Sequence, residues 1–196
     1  METPGVAQIY LSGASGDTMA GRYNDGDPAN RAVLAGRLHQ GMVDAWNRIE
    51  RHPAPTAIGF RSAPLRLAPR ASKGFSEAEL RATLADRAAP FRVRSEAALG
   101  LSWLARIARP IDVPAIDLGP AQIVLLPAEA FVQYQLWAKQ ERPETMVMAV
   151  GFGECAPGYI PTARDAADGY DDHYSWIAFP ECEAPIRQAI AAALAK

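Results

Sequence analysis

Apolar and polar positions follow two periods along this chain, and the switches between them predict interleaved strands and helices. Gln8-Ile-Tyr-Leu-Ser12 reads as a short strand, followed by a small-residue loop, Gly13-Ala-Ser-Gly-Asp-Thr-Met-Ala-Gly21. Asp27-Pro28 then predicts a helix start, with Asp27 as N-cap and Pro28 at the first helical position. Leu34, Leu38, Met42, Ala45, Trp46 and Ile49 continue that helix at a spacing near 3.6, and His52-Pro53 ends it. Ile58, Phe60, Leu65 and Leu67 alternate partially and predict a strand or hairpin. Ser76-Glu-Ala-Glu79 is a capping box flanked by Phe75 and Leu80 as a hydrophobic staple, so a helix runs from 77 to about 86. Ala97, Leu101, Leu104 and Ile107 share one face of a further helix over about 93–108.

The second half continues the mixture. Ile111 to Leu118 and Gln122 to Leu126 read as two strands around a Gly119-Pro120 turn. Pro127 opens a helix from Ala128 to Gln140, with Pro143 beyond its end. Thr145 to Val150 is an unbroken apolar run suited to a buried central strand. Gly151 to Thr162 is a loop, Tyr174 to Phe179 a further strand, and Glu183 to Ala195 a closing helix. The expected class is therefore α/β (mixed α+β), a layered sheet with flanking helices. No repeat or low-complexity linker divides the chain. The Pro- and Arg-rich stretch over 61–74 reads as a crossing loop, so residues 1–196 are expected to form a single domain.

Composition narrows the functions. Hydrophobic residues make up 49% and charged residues 21%, which supports a folded core. The net charge of −2 gives no basic surface for phosphate contacts, so no nucleic-acid partner is expected. No apolar run reaches the roughly 20 residues of a membrane helix. The first residues, Met1-Glu-Thr-Pro-Gly, carry no basic n-region or apolar h-region, and compartment is left open. Cys155 and Cys182 make no metal-ligand spacing and read as two thiols, with a disulfide left open for an exported protein. His39, His52 and His173 form no HxxxH or HExxH pattern.

Three stretches could carry chemistry. The loop over 13–26 offers backbone N–H groups to an anion, or is a tight turn. In Leu125-Leu-Pro-Ala-Glu-Ala-Phe131, Glu129 is favoured by the dipole of a helix first turn, or is a ligand or base at the edge of a sheet. In Gly151-Phe-Gly-Glu-Cys-Ala-Pro-Gly-Tyr-Ile-Pro-Thr162, Tyr159 is displayed on a Gly/Pro-rich loop, with Tyr170 eleven residues on. Each phenol either packs with its hydroxyl in solvent or serves as a ligand or hydrogen-bond donor.

These stretches resemble, in this order, the neutral/alkaline ceramidases and their bacterial ceramidase-like relatives, a family of zinc-dependent amide hydrolases. The likeness is carried by Gln8-Ile-Tyr-Leu-Ser-Gly-Ala-Ser-Gly-Asp17 with Tyr23-Asn-Asp-Gly26, by Leu126-Pro-Ala-Glu-Ala-Phe-Val-Gln-Tyr134, and by Ala149-Val-Gly-Phe-Gly-Glu-Cys-Ala-Pro-Gly-Tyr-Ile-Pro-Thr162. The resemblance implies that Glu129 and Tyr159 are metal ligands, that Tyr170 assists an oxyanion, and that Asp17 lies in the catalytic loop. Zinc is the implied cofactor, and an N-acyl small molecule or sphingolipid-like compound the implied substrate.

The departures are specific. The family's two zinc histidines precede the Gly-Asp loop, and His39, His52 and His173 do not match them. Met19 stands where the family has a serine, and a thioether cannot be an acyl-transfer nucleophile. The resemblance thus implies an incomplete half of a larger catalytic domain, with Met1 internal to a longer gene or heading a truncated one. Such a half would hold zinc weakly, hydrolyse an N-acyl bond only with the missing N-terminal half, and self-associate through an open sheet edge. The alternatives are a non-catalytic or degenerate binding module, and a fragment with no function of its own.

Overall fold

A computed structural model describes residues 7, 9–19, 21, 24–50, 53–155 and 157–195. The chain forms two compact units: Met1–Tyr10 with Met19–Thr56, and Leu11–Thr18 with Ala57–Lys196. The described residues of the first hold one α-helix, α1 (Asn30–Asn47), in which no residue is buried. It starts later than the sequence predicts because the Asp27 carboxylate accepts from the N–H of Ala29, two residues on, and Ala29 itself has no side-chain cap. It also ends before His52-Pro53, and His52 lies outside the described residues.

The second unit is a mixed α/β layer structure. Strands β1 (Gly59–Leu65), β2 (Ile111–Asp117), β3 (Ala121–Leu125) and β5 (Met146–Val150) form a sheet in the order β1-β2-β3-β5. The first three are antiparallel neighbours, and β5 runs parallel to β3. Alternate residues face inward: Ala63 and Leu65, then Ile111, Val113 and Ala115, then Val124, then Val147 and Ala149. Helix α6 (Glu183–Leu194) buries Ile186, Ala189, Ile190, Ala193 and Leu194 in the same core, at helical spacing. Helix α4 (Val132–Glu141) adds Tyr134 and Ala138.

Helix α2 (Glu77–Ala85) begins where the sequence places it. Ser76 Oγ accepts from the Glu79 N–H, and the Glu79 carboxylate accepts from the Ser76 N–H. Helix α3 (Phe91–Arg106) and the hairpin of β2 and β3 also stand within a few residues of their predicted bounds. The stretch over 66–74 is pinned rather than free: Arg70 donates its N–H to the Trp176 carbonyl at 2.9 Å, and Ala178 donates to the Ala68 carbonyl at 2.9 Å.

Several expectations are corrected by long-range pairing. The described residues within 8–12 form no strand; Ser12 supplies only its carbonyl, to the Gly151 N–H. The apolar run ending at Val150 is a strand at the sheet edge, not its centre, since β3 is its one partner in the sheet. Residues 174–179 make only isolated bridges, Gly158 with Ser175 and Pro69 with Ile177. Pro127 does not open a helix, because Glu129–Ala130 becomes the short strand β4 and α4 starts at Val132. Both cysteines are free thiols.

Candidate functional site

Strand β4 (Glu129–Ala130) lies parallel to β6 (Tyr159–Ile160), with Glu129 opposite Tyr159. Parallel neighbours in register project their side chains to the same face. Two segments about thirty residues apart in sequence thus deliver one carboxylate and one phenol to one place. The pairing extends on both sides: Glu129 donates its N–H to the Gly158 carbonyl at 3.4 Å, and Phe131 donates to Ile160 at 3.1 Å. This ladder puts Glu129 in a strand and not in a helix. It precedes the helix and so gains nothing from a place in its first turn.

The approach to β4 is held in an uncommon backbone conformation. Ala128, Phe152 and Cys155 all have positive φ, at 47°, 58° and 67°. Their backbones bond one another: Ala128 donates its N–H to the Cys155 carbonyl at 3.2 Å, and its carbonyl accepts from Phe152 at 3.0 Å. Left-handed backbone at residues other than glycine costs roughly 1–2 kcal/mol each, and it persists where surrounding bonds over-determine it.

The small-residue loop arrives at the same strand. Gly16 donates its N–H to the Ala130 carbonyl at 3.0 Å, and a Cβ on Gly16 would stand 2.3 Å from the Glu129 carbonyl oxygen. Only glycine allows this approach. The next residue, Asp17, is exposed and accepts the Val132 N–H at 2.8 Å. It therefore caps α4 from 115 positions away, where the helix's own N-cap, Phe131, has no side-chain acceptor to offer. Asp17 also lines a cleft of about 470 Å³ with Val132, Trp137 and Arg164.

Tyr170 completes the group. Its ring meets Phe131 edge-on at 5.2 Å and Phe179 at 5.9 Å. Its hydroxyl is buried and has no hydrogen-bond partner among the described residues. Burial raises the pKa of this phenol, reinforced by Asp172, Tyr159 and Glu129 and opposed by the Arg70 cation. Tyr159 is raised as well, first by burial and then by the charge of Glu129 and its hydrogen bond with the phenol. At neutral pH both phenols are therefore protonated, each a donor.

The structure thus brings Glu129 and Tyr159 together with Tyr170 beside them, and puts Asp17 in a capping role on α4. It leaves others elsewhere. Met19 is exposed, and His39 is exposed on α1. His173 is exposed beside Arg92, at 2.9 Å, and Glu96, at 3.4 Å. Sequence reading misses Arg70, Asp172 and Tyr174, which frame the two phenols; a lone arginine in Leu-Ala-Pro-Arg70 carries no motif.

For zinc, the expected donors are Glu129 and Tyr159. Among the described residues no group of three or more His, Cys, Asp or Glu side chains could hold a metal ion. A closed zinc site needs four ligands, usually with nitrogen or sulfur among them. The present donor set does not complete one, and both phenols resist ionisation. Among the described residues no helix is long and apolar enough to cross a membrane.

No family model matches this chain, and no curated protein matches it. Among solved structures, the neutral ceramidase from Pseudomonas aeruginosa is similar, with a TM-score of 0.46 and 14% identity, over 72% of this chain and 28% of that protein. A likeness of that size carries no argument about this chain's chemistry. The matched region spans a little over a quarter of the ceramidase's length.

Proposed function

We propose that Glu129, Tyr159 and Tyr170 are the carboxylate-and-phenol half of a site that binds and, when completed, hydrolyses an N-acyl amide. The observation that supports this reading is the buried, unpartnered hydroxyl of Tyr170 beside the Glu129–Tyr159 pair. An orphaned buried hydroxyl costs roughly 1–3 kcal/mol, and an amide carbonyl placed there would accept its hydrogen bond. That bond strengthens as the carbonyl oxygen gains charge, which is the requirement for oxyanion stabilisation. Glu129, held against Tyr159, orients the second phenol. Zinc would require at least two further ligands from outside this group, and no step is assigned to it.

The test is binding and turnover of a fluorogenic N-acyl amine with zinc in excess. The chain alone is expected to bind the compound saturably, to lose about tenfold in affinity in Tyr170→Phe, and to show background turnover. Fast, Glu129-dependent turnover by the chain alone would overturn the half-site reading. Equal binding by wild type and Tyr170→Phe would overturn the role of Tyr170. Met19, in the position of the family's serine, favours the second reading, a binding module without catalysis. On that reading binding survives, and no added N-terminal segment restores turnover.

A further inference from the structure

The Tyr170 hydroxyl has no hydrogen-bond partner among the described residues, so the phenol is placed by its backbone and by the rings around it. Its own N–H is held by the Asp165 carbonyl at 2.9 Å. The turn that follows it, over 171–176, is bonded at three residues by one side chain from the connection between β1 and α2. The Arg70 side chain, only 10% exposed, pairs with the Asp171 carboxylate through Nη2. Nη1 donates to the main-chain carbonyls of Asp172 at 2.6 Å and Ser175 at 3.3 Å. Nε donates to Ser72 Oγ at 2.8 Å. The guanidinium lies 3.9 Å from the centre of the Phe75 ring and 4.9 Å from that of Phe179, and Phe179 in turn packs against Tyr170.

The same turn secures the other phenol. Tyr159 donates its N–H to the Tyr174 carbonyl at 2.9 Å, and Ser175 Oγ donates to the Tyr159 carbonyl at 2.7 Å. One guanidinium thus bonds the turn against which Tyr159 is paired and stacks on Phe179, the ring that packs against Tyr170. We propose that Arg70 is the positioning residue of this site, setting Tyr170 and Tyr159 relative to Glu129. What it positions them for rests on the function proposed above; that it positions them does not. The five donors of a planar guanidinium meet four acceptors here while its faces rest on aromatic rings, and a lysine ammonium cannot reproduce that fork.

The test uses the full chain labelled with 3-fluorotyrosine, whose six tyrosines give six fluorine resonances. Tyr170, Tyr159 and Tyr134 are assigned through their phenylalanine variants. In Arg70→Lys and Arg70→Gln, well below the melting temperature, the Tyr170 and Tyr159 resonances are expected to shift or broaden beyond their linewidth. Tyr134, whose hydroxyl donates to the Pro161 carbonyl inside the core at 2.9 Å, stays in place. Asp171→Ala removes one exposed partner of Arg70 without disturbing the core, so it decides the matter should both arginine variants fail to fold; a smaller shift confined to the same two resonances is expected. Unmoved Tyr170 and Tyr159 resonances, or a Tyr134 shift as large as theirs, would overturn the proposal. No metal or substrate enters this experiment, so its failure is distinct from failure of the amide-binding assay.

Discussion

Gly16→Ala tests whether the small-residue loop is built against the strand that carries Glu129. The new Cβ would lie 2.3 Å from the Glu129 carbonyl oxygen, 2.9 Å from Phe131 Cδ1 and 3.0 Å from the Glu129 carbonyl carbon. Ordinary C···O contacts are roughly 3.3 Å, so the loop must retreat by about 1 Å. The obstacle is backbone inside a strand pair and does not yield as a flexible side chain would. A retreat of that size breaks the 3.0 Å bond from Gly16 to Ala130 and the 2.8 Å cap from Asp17 to Val132. The lost backbone bond contributes about 1 kcal/mol, the lost cap about 1 kcal/mol, and residual crowding about 1 kcal/mol or more. For a protein of this size the loss of about 3 kcal/mol lowers the melting temperature by roughly 6–12 °C. Circular dichroism melts of Gly16→Ala, Asp17→Ala and Gly36→Ala at one pH separate the contributions. Asp17→Ala alone should cost only the cap, about 1 kcal/mol or roughly 2–4 °C. Gly36→Ala meets nothing within 4 Å inside a helix and should cost nothing. A Gly16→Ala melt within 2 °C of wild type would refute the reasoning.

Other outcomes follow from the same structure. Ser76→Ala removes the capping box of α2 and should lower the melting temperature by roughly 2–4 °C, from a loss of about 1 kcal/mol. Stability should fall as the solution becomes alkaline. Burial pushes the Cys182 thiol up from 9.0 to about 11, and Tyr134, Tyr159 and Tyr170 also sit above their ordinary value of 10.0. Below pH 9 these groups are protonated in both states. Above it the unfolded chain loses protons that the folded chain keeps, so the stability they contribute at lower pH is lost as pH rises through the folded values. Cys182→Ala should flatten the fall between about pH 9 and 11 in denaturant titrations, by on the order of 2–3 kcal/mol; an unchanged slope there would contradict the burial argument. Ala128→Val places a β-branched side chain at a φ of 47° and should destabilise by about 2 kcal/mol. An unchanged denaturant midpoint would show that the left-handed backbone there is not required.

Local rules in the sequence served where the bonds are local. The capping box at Ser76 works within one helical turn and appears as read. The hairpin around Gly119-Pro120 is likewise set by its own turn, where the Asp117 carboxylate accepts the Gly119 N–H at 2.8 Å. Pro127 misled because its local preference for a helix start competes with a ladder from residues about thirty positions away. The described residues within 8–12 are strand-forming types but pair through one carbonyl only. Edge or centre is a property of the whole sheet, so the apolar run ending at Val150 could not announce its place. At the candidate site, the order of three motifs singles out Glu129, Tyr159 and Tyr170 as candidates, and the β4–β6 pairing that sets Glu129 opposite Tyr159 is a long-range one. Arg70 was not legible, since its importance comes from two carbonyls and a carboxylate about a hundred residues away.

The measurement that bears most directly on the site is zinc uptake by the purified chain, by equilibrium dialysis and metal analysis, beside Glu129→Ala and Tyr159→Phe. A carboxylate and a phenol without further ligands should take up zinc weakly and below one equivalent, and each variant should abolish that uptake. One full equivalent of tightly held zinc in the wild type, or equal uptake above background in the wild type and both variants, would contradict the account.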